Sequence, residues 1–257
     1  MNMIIIAFSA FLASGLTLFS GFGLGTLLMP VIALFFPVDA AIGMTALVHL
    51  ANNVFKIALL GLKADREVVI RFGLPGTIAS FAGAGLLVWL GSLHSVATYS
   101  LMGRTFEVVP IQMIVGIMII VFVIMEISPW FSSITFDRNL LPVGGMVSGF
   151  FGGLSGNQGA FRSMFLLKAG LSKEQFIATG VVLAVMIDVS RLAVYGWDTL
   201  ASHRGIDWLM VLVATISAFV GATIGIRLIH KVTIRSIQII VSGFLIVVAL
   251  GLILGII

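Results

Sequence analysis

The stretch from Ser148 to Ser163, SGFFGGLSGNQGAFRS, decides the fold. It is rich in glycine, it lies in a long apolar segment, and it carries Arg162. A second glycine-rich stretch, SGFGLGTLLMP, occupies residues 20–30. Glycine and proline loosen a helix at membrane depth. Both stretches therefore predict a broken helix or a hairpin within an apolar segment.

The composition predicts an all-α polytopic membrane protein. The chain of 257 residues is 60% hydrophobic and 9% charged, whereas a soluble domain is about 25% charged. Apolar segments of about 18 residues or more recur along it, and each could span a bilayer. The net charge is +4, with basic residues flanking the segments, which indicates an orientation signal and no nucleic-acid partner. The lack of cysteine excludes disulfides and thiolate metal sites.

Rare polar residues inside the apolar segments recur in the same order at an offset of 135 residues. Asn53 then corresponds to Asp188, and Lys56 to Arg191. Such order predicts an internal duplication. We expect a first membrane repeat over residues 1–128 and a second over 137–257, together one integral membrane domain. Each repeat has about four apolar segments, and the glycine-broken one comes first.

The distribution of basic residues favours inverted repeats. If all eight segments crossed the membrane, the flanking Lys and Arg would divide five against six. If the two broken segments are hairpins, they divide nine against two, as the positive-inside rule predicts. The richer side then holds Lys63, Arg66, Arg71, Arg138, Lys168, Lys173, Arg227, Lys231 and Arg235. Inverted repeats with broken helices are the design of secondary transporters.

The glycine-rich stretch over residues 148–163 carries the first candidates for substrate binding. Arg162 has the planar, many-donor geometry of an anion clamp, although an arginine near a segment end can also snorkel to the surface. The amides of Asn157 and Gln158 could donate to an oxyanion or satisfy freed backbone groups. The predicted backbone breaks are at Gly21, Gly23, Gly25, Gly156 and Gly159.

Polar residues of two later segments complete the candidate site. Arg191, Lys56 and Asn53 are predicted to bind substrate, and their positive balance argues for an anion. Asp188 and Arg191 share a helix face, so a purely structural ion pair is the alternative. Asp188 and His49 are the candidates for proton coupling, and a structural, hydrogen-bonded histidine is the alternative.

The sequence indicates no enzyme, cofactor or metal site. The glycines at 21, 23 and 25 lack the strand–turn–helix context of a nucleotide-binding loop, and no Walker A lysine follows. His and acidic residues do not show metal-ligand spacing. An intramembrane enzyme or assembly factor is disfavoured because no nucleophile–base pair stands out.

The segment ends carry loop, capping and interfacial residues. The polar stretch over residues 91–109 predicts an extramembrane loop, and Ser172 predicts an N-cap for the sixth segment, placed at about 176–195. Tyr195 and the four tryptophans lie near segment ends, which predicts an aromatic belt.

The ordered motifs resemble the TauE/SafE (TSUP) family of membrane permeases over essentially the full chain. The first is Gly21-x-Gly23-x-Gly25-x-x-x-x-Pro30, and the duplicate runs from Gly149 through Gly159 to Ser163. The resemblance implies a permease of a bacterial cytoplasmic membrane. It would move a small sulfur-containing anion, such as sulfite or an organosulfonate, usually outward. Asn157, Gln158 and Arg162 interrupt a motif that is all glycine in many members.

Two other functions stay open at this point, a passive anion channel and a permease for a different small oxyanion or carboxylate. The expected partners are the anion and the lipid bilayer. A coupling proton or Na+ and a homodimer also stay open. We expect transport by alternating access, with one repeat rocking against the other.

Overall fold

The computed structural model describes residues 2–16, 23–60, 63–101, 103–202, 206–228 and 234–257. Gly21, one of the predicted breaks, lies outside the described residues. About 80% of the structure is helical. Five of the described helices are long and apolar enough to cross a membrane. The predicted all-α polytopic membrane architecture is confirmed.

The helices and strands divide between the two halves of the chain. The first half contains α1 (Asn2–Leu16), α2 (Leu24–Ala33), α3 (Val38–Leu60), α4 (Arg66–Val68), α5 (Leu74–Gly91), β1 (Ala97–Leu101), β2 (Arg104–Val108) and α6 (Pro110–Ile127). The second half contains α7 (Pro129–Ser133), α8 (Leu141–Ser155), α9 (Gly159–Leu166), α10 (Lys173–Ser202), α11 (Trp208–Leu228) and α12 (Ile234–Ile253). A π-helical turn, Val69–Gly73, joins α4 to α5. It lies just before Pro75, which has no N–H for a regular helical bond.

The predicted loop over residues 91–109 contains a β-hairpin. β1 and β2 pair antiparallel, with Ala97 opposite Val108, and Gly103 turns the chain with φ +74°. The Tyr99 hydroxyl donates to the Leu254 carbonyl oxygen at 2.6 Å. The hairpin therefore lies against the C-terminal end of α12.

The helix break in the second half reverses the chain between α8 and α9. The end of α9 therefore lies at the same end of the molecule as the start of α8. α8 stops at Ser155 because Gly156 adopts a left-handed conformation, φ +81°. The Phe136 N–H donates to the Met164 carbonyl at 3.0 Å, and Arg138 Nη1 donates to the Ala169 carbonyl at 3.1 Å. The end of α9 thus lies beside the start of α8. With 15 residues, α8 is only about 22 Å long.

Each broken segment packs against a long helix of the other half of the chain. A Cβ on Gly149 of α8 would meet the Gly76 backbone of α5. In the same way, a Cβ on Gly221 of α11 would meet the Phe11 carbonyl of α1. Small residues allow this approach in membrane helices. We call the pairings α5–α8 and α1–α11 the crossed pairs; the inverted relation of the two repeats stays a prediction.

Three residues of the predicted aromatic belt are exposed near helix ends and a fourth is buried, while the side chain of Trp197, the fifth, lies outside the described part of the structure. Trp89, Trp130 and Trp208 are exposed near helix ends. Tyr195 is buried, because α10 continues to Ser202 and places this residue well inside the helix. Its hydroxyl donates to the Gly153 carbonyl oxygen.

The two halves also meet at the end where α4, α8 and α10 begin. Arg138 Nη2 lies 2.8 Å from Glu67 Oε2, and Glu67 also pairs with Arg71 at 3.0 Å. The Asp65 N–H donates to Thr179 Oγ1 at 2.8 Å, which joins the loop before α4 to α10. Polar contacts therefore join the two halves at this end of the molecule.

Candidate functional site

The N-terminal ends of the two half-helices α2 and α9 meet inside the domain. A Cβ on Gly25 would stand 3.3 Å from the carbonyl oxygen of Gly156. The Thr26 hydroxyl donates to Asn157 Oδ1 at 2.6 Å. The first turns of a helix carry N–H groups without intrahelical partners and a partial positive charge. Two such ends point to one place, which favours an anion there.

Three side chains at the second break hold buried polar atoms without partners. Asn157 and Gln158 are each 3% exposed. Within the described part of the chain, Asn157 Nδ2, both amide atoms of Gln158 and Arg162 Nη1 have no hydrogen-bond partner. An unsatisfied buried donor costs about 1–3 kcal/mol. Such donors are what an oxyanion would satisfy.

Positive charge gathers next to these donors. Arg162, on α9, is half-buried, and its Nε lies beside the bare backbone of Gly180, where a Cβ would stand at 3.5 Å. The buried Lys56 ammonium lies within electrostatic range of Arg162. Like charges repel strongly in a low-dielectric interior, so an anion would stabilise the pair. We call Asn157, Gln158, Arg162 and Lys56 the anion site.

A second buried network surrounds Asp188. His49 Nδ1 lies 2.6 Å from Asp188 Oδ2. Arg191 donates to Asp188 Oδ1 from Nε at 3.0 Å and from Nη2 at 2.7 Å. Asn53 Nδ2 lies 3.4 Å from Asp188 Oδ2. We call these four residues the Asp188 cluster. It joins α3 of the first half to α10 of the second.

The predicted site residues therefore fall into two groups. Asn157, Gln158, Arg162 and Lys56 form the anion site, and Arg191 and Asn53 lie with His49 in the Asp188 cluster. The two groups adjoin at the break, because Arg191 Nη1 lies beside Gly156, where a Cβ would stand at 2.6 Å. The described break glycines Gly23, Gly25, Gly156 and Gly159 all lie where the half-helices meet. Among the described residues, no three His, Cys, Asp or Glu side chains are grouped to hold a metal ion.

Sequence reasoning missed residues that hold the break in place. Tyr195 bonds the Gly153 carbonyl at the end of α8, and Ser148 Oγ donates to the Gln158 carbonyl at 3.0 Å. Thr26 orients Asn157. One signal was available, since Tyr195 follows Arg191 by four residues and so shares its helix face.

A polytopic helical domain whose broken helices bring buried donors together belongs to the class of membrane transport proteins. The family model described as "Sulfite exporter TauE/SafE" matches residues 6–252. The chain belongs to this family, which confirms the resemblance in its motifs. The family implies a permease of the sulfite-exporter type in a multi-pass membrane protein. No curated protein and no solved structure matches the chain significantly.

Proposed function

We propose that the chain is a secondary transporter that exports a small sulfur-containing oxyanion, sulfite or an organosulfonate, across the bacterial cytoplasmic membrane. The observation that carries this proposal is the set of unpartnered donors on Asn157, Gln158 and Arg162. They lie where two positive helix ends meet. This arrangement matches a ligand that has several acceptor oxygens and a negative charge.

Each residue of the anion site has a distinct role in this proposal. The Arg162 guanidinium forms charge-assisted hydrogen bonds with one or two oxygens of the anion. The amides of Asn157 and Gln158 donate to the remaining oxygens, and Lys56 contributes positive potential. Sulfite and sulfonate groups each present three oxygens, which suits donors that converge from several directions.

The break also supports an alternating-access mechanism. The half-helices end inside the domain, so a bound anion lies between the two halves of the chain. In the proposed cycle the halves move against each other around this position and expose it to one side at a time. The Arg138–Glu67 ion pair joins the halves at one end and would open when that side opens.

Flux of radiolabelled sulfite into proteoliposomes tests the proposal. Arg162→Ala should lower the rate at low sulfite by about 10–100-fold, because a hydrogen bond to a charged group contributes about 1.5–3 kcal/mol. Lys168→Ala is the matched control: Lys168 is exposed just beyond the end of α9. It should transport at the wild-type rate.

Two further results would decide the proposal. Unlabelled sulfite inside the vesicles should accelerate uptake of labelled sulfite, which a passive channel does not do. Full transport by Arg162→Ala would remove the anion site from the mechanism. Wild-type vesicles that carry neither sulfite, sulfoacetate nor methanesulfonate would overturn the proposed substrate class.

A further inference from the structure

The contact between His49 and Asp188 is the shortest link in the Asp188 cluster, and the anion site does not require it. The two residues are 139 positions apart in the chain and belong to different halves. Asp188 is fully buried and His49 is 7% exposed. A buried titratable side chain that faces a carboxylate inside a transporter indicates a binding site for a transported ion.

We infer that the His49–Asp188 pair is a proton-binding site and that its proton crosses the membrane together with the anion. This inference rests on the proposed anion transport and adds the coupling ion to it. The proton is the ligand that this pair fits best, since metal coordination would need more acidic or histidine ligands than these two.

The hydrogen bonds define where the proton binds. Arg191 occupies Oδ1 of Asp188 with two donors, which favours the ionised carboxylate. Oδ2 faces His49 Nδ1, so Nδ1 carries the hydrogen of the neutral ring. The other ring nitrogen, Nε2, is then the acceptor for an added proton. Asn53 Nδ2 lies 3.1 Å from Nδ1 and 3.4 Å from both Nε2 and Asp188 Oδ2. When both ring nitrogens carry hydrogens, Asn53 keeps its donation to Asp188.

The charge balance couples the proton to the anion. With a neutral His49, the charges of Asp188 and Arg191 cancel. Protonation makes the cluster +1, and Asp188 already lies within electrostatic range of Arg162 in the anion site. Added positive charge strengthens anion binding, and a bound anion strengthens proton binding by the same factor. Mutual strengthening predicts movement in the same direction rather than exchange. Because an acidic exterior then drives the anion inward, export by this route depends on a higher anion concentration inside the cell.

The neighbouring helices contribute few other ionisable groups that face His49. Lys56 lies on the same helix, Arg191 and Tyr195 lie on α10, and Arg162 lies on α9. The segments α1, α2 and α5 contain no ionisable side chain. Glu126 is next to the last residue of α6, and the Arg227 side chain of α11 lies outside the described part of the structure. Histidine is the side chain that ordinarily titrates between about pH 5 and pH 8.

Proteoliposomes containing a trapped pH indicator, in Na+-free buffer, test the inference. Methanesulfonate is the probe because it stays ionised and cannot itself carry a proton. Its uptake should acidify the lumen of wild-type vesicles, and an acidic exterior should drive its accumulation. If sulfite is the one anion carried, protein-free liposomes measure the leak of the protonated acid, which is subtracted.

His49→Gln identifies the site, because the amide keeps a donor toward Asp188 and cannot take up a proton at these pH values. It should retain exchange of labelled for unlabelled anion, which shows that it folds and binds. Acidification should fall to the level of protein-free liposomes.

Wild-type anion uptake without acidification would overturn the inference while leaving the proposed function intact. Acidification that persists in His49→Gln, or accumulation that requires Na+, would also overturn it. Absence of any anion flux in the wild type would instead defeat the proposed function, and this inference with it.

Discussion

The two helix breaks share a geometry and differ in chemistry. At the offset of 135 residues that relates Asn53 to Asp188, Gly23 corresponds to Gln158 and Leu27 to Arg162. A half-helix begins at each break, α2 after Gly23 and α9 after Gln158, but the second break alone carries an arginine and two amides. The paired helix ends are thus common to both breaks, whereas the candidate recognition groups are present at the second break alone.

The same asymmetry appears in the Asp188 cluster. Asn53 and Asp188, which occupy corresponding positions, lie 3.4 Å apart. Two acids at these positions would repel each other at this distance, whereas an amide can donate to the one carboxylate. The amide on α3 and the acid on α10 are therefore compatible at this distance, and a second acid would not be.

The largest loss of sulfite affinity in this comparison should come from Gln158→Met. The variant replaces an amide of the second break with an apolar side chain, as the first break has. Both amide atoms of Gln158 lack partners, so the variant should lose no hydrogen bond within the protein. Sulfite affinity should fall by about 10–100-fold, with no loss of melting temperature in detergent. A lower melting temperature with unchanged KM for sulfite would show that Gln158 is structural.

Glycine-to-alanine substitutions in either half of the chain should destabilise the crossed pairs equally. Gly83→Ala places a Cβ against the Phe150 carbonyl of α8, and Gly221→Ala places one against the Phe11 carbonyl of α1. We expect each to destabilise the protein by about 1–3 kcal/mol, read as a lower melting temperature. Gly85→Ala is the matched control on α5, because its Cβ would meet nothing within 4 Å. Equal melting temperatures for Gly83→Ala and Gly85→Ala would contradict the close approach.

The smallest effect concerns the single hydrogen bond that links the breaks. Thr26→Val removes the donor to Asn157 Oδ1 and should weaken sulfite binding by about 2–10-fold, equivalent to about 0.5–1.5 kcal/mol. Thr26→Ser should restore the affinity because it keeps the hydroxyl. If Val and Ser variants bind sulfite equally, the orientation of Asn157 does not depend on Thr26.

The sequence predicted best what depends on local pattern. The apolar stretch over residues 110–127 forms α6, Pro110–Ile127, and the glycine-rich stretch located the end of α8. The β-hairpin was missed because two strands of five residues with mixed polarity give little alternation. Tyr195 was misplaced because the predicted helix ended there, whereas α10 continues for seven further residues, to Ser202.

Contacts between distant parts of the chain could not be predicted from local patterns. The residues of the anion site were named from their types alone, and the sequence did not show that Asn53 would contact Asp188. His49 and Asp188 are 139 residues apart, and no spacing rule relates positions in different helices at that distance. Their pairing follows from the packing of α3 against α10, which depends on the whole fold.

The crossed pairs also determine the order in which the protein can be completed during synthesis. α1 ends at Leu16, and its partner α11 begins only at Trp208. A ribosome that adds about 5–20 residues per second needs about 10–40 s to cover that interval. During that time the face of α1 that packs against α11 has no native neighbour, and lipid or the insertion machinery must cover it. The first half therefore enters the membrane as an unfinished structure, which only the last helices of the chain complete.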